Sequence, residues 1–225
     1  DVSMREMLHN GVHYGHKTKH WNPEMEPYIF GIYQKLHIIN LEMTRPMLLN
    51  ALSFVEKTIR SRGKIVFVGT KYSAQLCVVQ QAERCGMPFV DQRWLGGTLT
   101  NFKTIRRSVK RLKELEGQRS ESTQIMTKKE RLILQREEAK LKALVGGIKD
   151  MDHLPSALFV LDVGQDSIAV KEANKLGIPV IGIVDTNNSP QGIDYVIPGN
   201  DDSMTALSFY TTLVADVIEK ISTEM

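Results

Sequence analysis

The chain has 225 residues, of which 42% are hydrophobic and 24% charged, and its formal net charge is +3. A chain of this size can bury one sizeable core, which predicts one domain with an insertion. No apolar run approaches the roughly 20 residues of a transmembrane helix, and the first residues lack the basic-then-apolar layout of a signal peptide. Membrane-spanning and secreted classes are therefore excluded at this stage, and a cytoplasmic protein is expected.

The small net charge hides a division of the chain into basic and acidic segments. Residues 1–102 carry 12 Lys and Arg against 8 Asp and Glu, a balance of +4. Residues 103–149 carry 14 against 6, which is +8, whereas residues 150–225 carry 3 against 12, which is −9. A cationic segment of this kind predicts a polyanionic partner.

The N-terminal region predicts a short helix, an ordered loop and a longer helix. Ser3 is a cap residue, and the helix after it should end near Asn10. Residues 11–31 are rich in His, Gly, Pro and aromatic side chains, which predicts an ordered loop or a short hairpin. A second helix is expected to begin near Thr44, with Pro46 in its first turn.

Most of the remaining chain alternates between strand and helix patterns. Continuous β-prone apolar runs predict parallel strands buried on both faces. These runs lie at 65–68, 89–90, 158–161, 180–184 and 195–197. One helix is predicted to end at residue 85, and two others are predicted to span 167–176 and 202–220. This order predicts an α/β fold, a three-layer Rossmann-like domain with about five parallel strands. Cys77 and Cys85 lie on one predicted helix about 12 Å apart, too far for a disulfide, and are expected to be reduced.

A helical insertion separates the two halves of this pattern. Apolar residues recur at three- and four-residue spacing in two stretches, which puts them on one face of each of two helices. They are Phe102, Ile105, Val109, Leu112 and Leu115, and then Leu134, Leu141, Leu144 and Ile148. Residues 117–123 are polar and turn-like. The pattern predicts an inserted antiparallel helical hairpin, a coiled coil, at 103–146, with residues 1–102 and 147–225 forming the body.

The outward positions of the predicted hairpin are strongly basic. The cationic stripe expected to contact RNA phosphates comprises Lys103, Arg106, Arg107, Lys110, Arg111 and Lys113. The plain alternative is a solvated helix face that only keeps the protein soluble. A balance of +8 over 47 residues is more than solubility needs, so RNA binding is the favoured interpretation.

Two further segments are candidates for RNA contact. In the stretch 93–101, paired glycines allow close backbone approach. Arg93 and Asn101 are predicted to make polar contacts with RNA, whereas Trp94 is expected to pack beneath the hairpin. In the N-terminal loop, Lys17 and Lys19 are the predicted RNA contacts, and an RNA-free loop is the equal alternative.

A metal site is a weaker candidate. The N-terminal histidines have no accompanying Cys pair, which excludes zinc-finger spacing. The carboxyl ends of parallel strands meet in one crevice, where Asp185, which ends a predicted strand, should lie. Asp201 and Asp202 start the last predicted helix and should lie nearby. If the N-terminal loop folds over this edge, His16 with Asp185 and Asp201 forms a site for zinc or magnesium. The competing interpretation is that the Asp residues cap turns and a helix.

Catalysis is not predicted, and no cofactor is required. The residues 68–71 lack the longer glycine-rich loop that cradles phosphates, and the dinucleotide fingerprint does not occur. No serine lies in a nucleophile-elbow context. Two other classes stay open: a sugar- or nucleotide-binding α/β enzyme with a pocket at residues 69–71, Asp162 and Asp185, and a free RNA-binding adaptor that uses the hairpin.

Several segments closely resemble the family of the second protein of the bacterial small ribosomal subunit. They are MREML and GVHYGH (4–8 and 11–16), WNP (21–23), IINL (38–41), FVGTK (67–71), RWLGG (93–97), GIKDM (147–151), PSALFV (155–160), and KEA with GIP (171–173 and 177–179). Matches extend over residues 4 to about 220, and the inserted hairpin indicates the bacterial form.

The resemblance implies a structural, non-enzymatic ribosomal protein. It implies a Rossmann-like body with a protruding hairpin that binds 16S ribosomal RNA between the head and body of the subunit. It also implies that the chain helps to hold the large messenger-RNA-binding protein of the small subunit, which is built of several OB-folds. Other small-subunit proteins are expected partners, whereas a membrane or a small-molecule substrate is not.

Overall fold

The computed structural model describes the backbone of residues 2–121 and 128–224, and the side chains of residues 2–117 and 128–224. Its α-helices are α1 (Met4–His9), α2 (Leu41–Arg60), α3 (Tyr72–Arg84), α4 (Phe102–Glu121), α5 (Lys128–Val145), α6 (Ser167–Leu176) and α7 (Met204–Glu224). Its strands are β1 (Tyr14–Lys17), β2 (Ile29–Tyr33), β3 (Leu36–Ile39), β4 (Ile65–Val68), β5 (Phe89–Val90), β6 (Ala157–Val160), β7 (Val180–Val184) and β8 (Tyr195–Pro198). Short 3-10 helices span Thr18–His20, Pro23–Tyr28 and Gly146–Ile148.

A five-stranded parallel sheet forms the centre of the body. Its strand order is β5-β4-β6-β7-β8, and every neighbouring pair is parallel. All residues of β4, β6 and β7 are buried, as their continuous apolar sequences require when both faces of a sheet are covered. The predicted Rossmann-like α/β fold with about five parallel strands is confirmed.

Helices cover both faces of the sheet and create two apolar cores. One core holds residues of α2, α3 and α7, and the other holds residues of α4, α5 and α6. From the central pair β4 and β6, the chain continues outward to β5 on one side and to β7 on the other. The order in which successive strands are added to the sheet therefore reverses between β4 and β6, which opens a crevice at the carboxyl ends of these two parallel strands.

A second, three-stranded antiparallel sheet spans residues 14–39, whereas an ordered loop or a short hairpin was predicted for residues 11–31. Its order is β1-β3-β2, and β2 and β3 are joined at Gln34 and Lys35. These two residues have φ angles of 49° and 66°, which lie in the left-handed region. A two-residue hairpin turn requires this backbone conformation at both positions, and the sequence Asn-Gly adopts it most readily. The sequence carried no such signal, so the hairpin was only one of two alternatives and the third strand was missed.

The start of α2 also differs from the prediction. The helix begins at Leu41, and the side chain of Asn40 caps it by accepting a hydrogen bond of 3.0 Å from the backbone N–H of Glu42. Pro46 therefore lies inside the helix and not in its first turn. The cap at Asn40 is the stronger start signal, and the prediction from Pro46 was wrong.

The two inserted helices form and contact each other. Helix α4 continues through Glu121, so the predicted turn at 117–123 began too early, and residues 122–127 lie outside the described part of the chain. Ile105, Leu112 and Val145 are buried in the second core together with residues of the body. The antiparallel connection and the domain boundaries at 103 and 146 stay predictions. In the described ranges, no helix is both long and apolar enough to cross a membrane.

Candidate functional site

Polar residues collect at the carboxyl edge of the parallel sheet. They follow four of its strands: Thr70 and Lys71 after β4, Asp162 after β6, Asp185 after β7, and Asp201 and Asp202 after β8. Because the strands are parallel and neighbours, their carboxyl ends bring these side chains to one place. We call this group, together with His16, the acidic crevice.

Strand β1 delivers His16 to the acidic crevice. The backbone N–H of His16 donates to the hydroxyl of Thr186 at 2.9 Å. This approach depends on Gly15, because a Cβ atom there would lie 2.7 Å from the Thr186 methyl group. The imidazole Nδ1 lies 3.1 Å from Oδ2 of Asp185, and Nε2 lies 3.2 Å from Oδ2 of Asp202. The N-terminal sheet is thus tied to the crevice through one short strand.

Lys71 supplies the crevice with a fixed positive charge. Its Nζ lies 3.0 Å from a carboxylate oxygen of Asp162, 3.0 Å from Asp201 and 2.6 Å from Asp202. Burial opposes its charged form, but the hydrogen bond to Asp202 and the charges of Asp201 and Asp162 hold the pKa of Lys71 above its ordinary value. The ammonium group is consequently an internal counter-ion.

Negative charge exceeds positive charge in the crevice. Four carboxylates face one ammonium group and one imidazole. The hydrogen bond to Asp185, with the neighbouring carboxylate charges, raises the pKa of His16. Burial, together with the charges of Asp185 and Asp162, raises the pKa of Asp201. The shift at His16 therefore comes first from its carboxylate partner, whereas the shift at Asp201 comes first from burial and then from the neighbouring carboxylates.

The predicted metal ligands lie close together here. One ligand atom each of His16, Asp185 and Asp201 fits within 4.8 Å of the others. Tyr210 is fully buried, and burial together with the charges of Asp185 and Asp201 raises the pKa of its hydroxyl, against a backbone hydrogen bond from Asn200 that lowers it.

The basic surface lies along α4, one of the helices that form the second core with α5 and α6. Lys103, Arg106, Arg107, Lys110 and Lys113 are all exposed. Among the described residues, Lys103 and Arg107 have no acidic partner, whereas the other three have loose contacts. These contacts are 3.6 Å from Arg106 to Asp152, 4.0 Å from Lys110 to Glu114, and 3.4 Å from Lys113 to Asp150. Exposed pairs at these distances leave the cations available to another anion.

Helix α5 adds further cations to this surface. Its basic residues are Lys128, Lys129, Arg131, Arg136, Lys140 and Lys142. None of them has an acidic partner within residues 2–121 and 128–224. The helices α4 and α5, with these side chains, are called the basic helical surface below.

Arg111 differs from the rest of the predicted stripe. Its guanidinium binds Glu137 of α5 through two hydrogen bonds, Nε to Oε1 at 2.8 Å and Nη2 to Oε2 at 3.1 Å. This pair could not be predicted from the sequence, because it depends on how the two helices face each other. An RNA contact by Arg111 stays a prediction and competes with this ion pair.

The loop before α4 places the two other predicted contacts. Arg93 is exposed and has no acidic partner in the described ranges. Asn101 directly precedes α4 and accepts a hydrogen bond of 2.9 Å from the hydroxyl of Thr104. Trp94 is 5% exposed, and its indole N–H donates to Glu172 at 3.2 Å. The expectation that Trp94 packs in the interior agrees with this burial.

Lys17 and Lys19 lie apart from these helices, on the N-terminal sheet and the 3-10 helix that follows it. Both are exposed and have no acidic partner in the described part of the chain. Their contact with RNA stays a prediction.

Sequence reasoning missed Lys71 and Glu172 as site residues, whereas Asp202 was expected near this edge but not as a ligand. Lys71 was weighed only as part of a phosphate-binding loop or of a sugar- or nucleotide-binding pocket, but its ammonium group is held by three carboxylates. Its position directly after β4, beside the reversal of strand order, is the signal that could have assigned it to the crevice. The pocket considered for a sugar or nucleotide lies at this same place and contains this lysine.

Fold and surface together define an α/β protein with two exposed cationic helices. A family model with the description "Ribosomal protein S2" matches residues 7–220 of the chain. Since this match covers nearly the whole chain, the chain belongs to the ribosomal protein S2 family. The family consists of structural, non-enzymatic proteins of the small ribosomal subunit, located in the ribosome with ribosomal RNA and other ribosomal proteins.

Proposed function

We propose that this chain binds 16S ribosomal RNA through the basic helical surface and thereby acts as a structural component of cytoplasmic small subunits. The observation that carries the proposal is the exposure of the cations on α4 and α5, most of which lack tight acidic partners. A protein that contacts phosphates releases condensed counter-ions, and this release favours binding. Cations already neutralised within the protein gain less from such contacts.

Lys103 and Arg107 are the best placed for phosphate contact. They lie four residues apart and hence on one face of α4, both are exposed, and neither has a described acidic partner. Lys110 follows three residues after Arg107 and has only a contact of 4.0 Å to Glu114. By their helical spacing, these three exposed cations lie along one side of α4.

The test is a triple charge reversal, K103E/R107E/K110E, with purified 16S ribosomal RNA as the probe. The matched control is K57E/K171E/K220E, which changes the net charge equally at exposed lysines outside the surface. Binding is measured over a range of salt concentrations. Each lost phosphate contact should lower the salt-dependence slope by roughly 0.7 to 0.9. Equal weakening in both variants would mean that net charge alone drives binding and would refute the proposal.

We also propose that the chain helps to recruit the large messenger-RNA-binding protein of the small subunit. The support is the resemblance of its N-terminal and body segments to the family. Small subunits reconstituted without this chain should lose that protein, and adding the chain back should restore it. Normal retention in its absence would refute recruitment.

A further proposal concerns the acidic crevice: it binds a divalent cation through His16, Asp185 and Asp201. Two observations support it, namely the clustering of the ligand atoms and the excess of carboxylates over cations in the crevice. One imidazole and two carboxylates suit zinc, whereas magnesium prefers oxygen ligands throughout. The cation would join the N-terminal sheet to the edge of the parallel sheet.

Elemental analysis of the purified chain tests the cation, together with thermal unfolding in zinc, in magnesium and in chelator. His16→Ala should abolish bound metal and the stabilisation by the ion. His20→Ala is the control, because His20 is an exposed neighbour outside the cluster. A metal content that is unchanged by His16→Ala, or no stabilisation by either ion, would refute the site.

A further inference from the structure

One buried carboxylate holds the loop that precedes the basic helical surface. Glu172, on α6, is 7% exposed and accepts five hydrogen bonds. One oxygen accepts from the indole of Trp94 at 3.2 Å and from the backbone of Gly97 at 2.7 Å. The other accepts from the backbone of Leu99 at 3.0 Å, and from the backbone and hydroxyl of Thr100 at 2.9 and 3.0 Å.

All of these donors are neutral, and they come from one segment of seven residues. Burial raises the pKa of a carboxyl group, but here the hydrogen bonds from Thr100, Gly97, Leu99 and Trp94 outweigh burial and lower the pKa of Glu172. The loop therefore wraps around the carboxylate as backbone amides wrap around a bound anion. Ordinary packing of a loop does not need a buried charge of this kind.

An uncharged side chain of the same shape cannot replace this carboxylate. Glutamine has one acceptor oxygen, and its amide nitrogen is a donor. In Glu172→Gln, the side-chain NH2 group would take the place of one carboxylate oxygen. It would then face N–H donors of the loop and could not accept hydrogen bonds from them. Buried donors without acceptors cost about 1–3 kcal/mol, so at least part of the loop would leave its place.

The loop passes directly into α4. Thr100 is followed by Asn101, whose carbonyl accepts the backbone N–H of Thr104, and α4 begins at Phe102. Gly97, with a φ of 91°, turns the chain where the anchor holds it. Lys103, Arg106 and Arg107, the first cations of the surface, follow within two turns. Ile105 and Leu112 pack α4 against the body, and the position of these cations relative to the body depends on how the loop is held as well.

We infer that Glu172 is a positioning residue for RNA binding: by fixing residues 94–100 it sets the direction in which α4 presents Lys103 and Arg107. This inference rests on the proposed RNA binding by the basic helical surface. Glu172 itself is buried and contacts no RNA. Its effect is transmitted through the loop, as a backbone anchor transmits position to the element that follows it.

The test compares wild type with Glu172→Gln and with the control Glu83→Gln, a change of equal charge on the opposite face of the sheet, in α3. Affinity for 16S ribosomal RNA is measured at a temperature at which all three proteins are fully folded. We expect Glu172→Gln to weaken binding about tenfold and to lower the salt-dependence slope by about one contact. Glu83→Gln should change neither quantity. Hydrogen exchange at the amides of Leu99 and Thr100 should become faster only in Glu172→Gln.

The pH profile separates positioning from a general loss of stability. Because the pKa of Glu172 is lowered in the folded protein, its stabilisation is present above the ordinary pKa of a glutamate and is lost as pH falls through the lower pKa of the folded state. The difference in loop exchange between wild type and Glu172→Gln should therefore disappear in acid. A difference that persists at low pH would show that the carboxylate is not the cause.

Each remaining outcome decides the inference. Faster exchange of the loop amides with unchanged RNA affinity would refute positioning while leaving RNA binding by the surface intact. If wild type itself shows no salt-dependent binding, the proposed function fails, and the exchange data then report only on how the loop is anchored. Weaker binding with unchanged loop exchange would place the effect elsewhere and would also refute positioning.

Discussion

The acidic crevice and the basic helical surface handle charge in opposite ways. In the crevice, Lys71 and His16 lie within about 3 Å of carboxylates that are mostly buried. On α4 and α5, most cations are exposed and have distant partners or none among the described residues. Charges inside a protein have to be compensated by the protein itself, whereas exposed charges are free to meet another molecule.

This difference assigns different roles to side chains of the same type. Lys71 directly follows strand β4, and carboxylates of the crevice surround its ammonium group. Lys103 follows the loop before α4, and its side chain is exposed. The crevice should therefore respond to substitution mainly through stability, and the surface mainly through binding. Each prediction below tests one part of that division.

The largest stability effect is expected for Lys71→Met. The change leaves Asp162, Asp201 and Asp202 without their ammonium partner, and like charges then repel one another in a partly buried place. Removing one member of such a group costs about 2–3 kcal/mol here, somewhat less than for a fully buried pair. Urea unfolding in chelator measures the loss.

Lys129→Met is the matched control for this comparison, since Lys129 is exposed on α5 and has no described partner. Its effect on the free energy of unfolding should stay within about 0.5 kcal/mol. Equal losses in the two variants would mean that the crevice is no more dependent on its lysine than the helices are on theirs.

A smaller effect is expected where β1 meets the crevice. Gly15→Ala would place a Cβ atom 2.7 and 2.8 Å from side-chain atoms of Thr186 and 3.1 Å from the carbonyl oxygen of His37. The strand then has to move, at a cost of about 1–2 kcal/mol, and His16 moves with it. Hydrogen exchange at the His16 amide, which donates to Thr186, should become faster.

The control for Gly15→Ala lies on the same small sheet. A Cβ atom at Gly31 would meet nothing within 4 Å, so Gly31→Ala should leave the His16 amide protected. If both variants behaved alike, the tight approach of β1 to the crevice would not be what positions the imidazole.

The parallel sheet was predictable because its signals are local. Strands β4, β6 and β7 are continuous apolar runs, and Gly177 at the end of α6 adopts the left-handed conformation typical of a helix stop. The rule that parallel strands end at one edge was enough to bring Asp185 and Asp201 together. Each of these inferences uses a few neighbouring residues and one general rule.

The features that were missed depend on contacts between distant parts of the chain. Glu172 binds residues more than 70 positions earlier, and Lys71 contacts Asp201 across 130 positions. Neither residue stands in a pattern that reveals its partner. The turn at Gln34 and Lys35 escaped for a different reason, since neither residue favours the positive φ angles that it adopts.

The smallest effect is expected for the pair that crosses between the two inserted helices. Arg111 and Glu137 are both about 40% exposed, at 41% and 38%. Solvent therefore weakens their attraction, although the two-point geometry favours it. A double-mutant cycle with Arg111→Ala and Glu137→Ala should give a small favourable coupling that decreases as salt is added. The pH dependence has the same origin: Arg111 lowers the pKa of Glu137, so the coupling should be present at neutral pH and be lost in acid as that carboxylate is protonated.

If Glu137→Ala also strengthens RNA binding, Arg111 is released from the ion pair to a phosphate, and it then belongs with the other cations of the surface. Unchanged binding would leave Arg111 as the one member of the predicted stripe that serves the contact between α4 and α5.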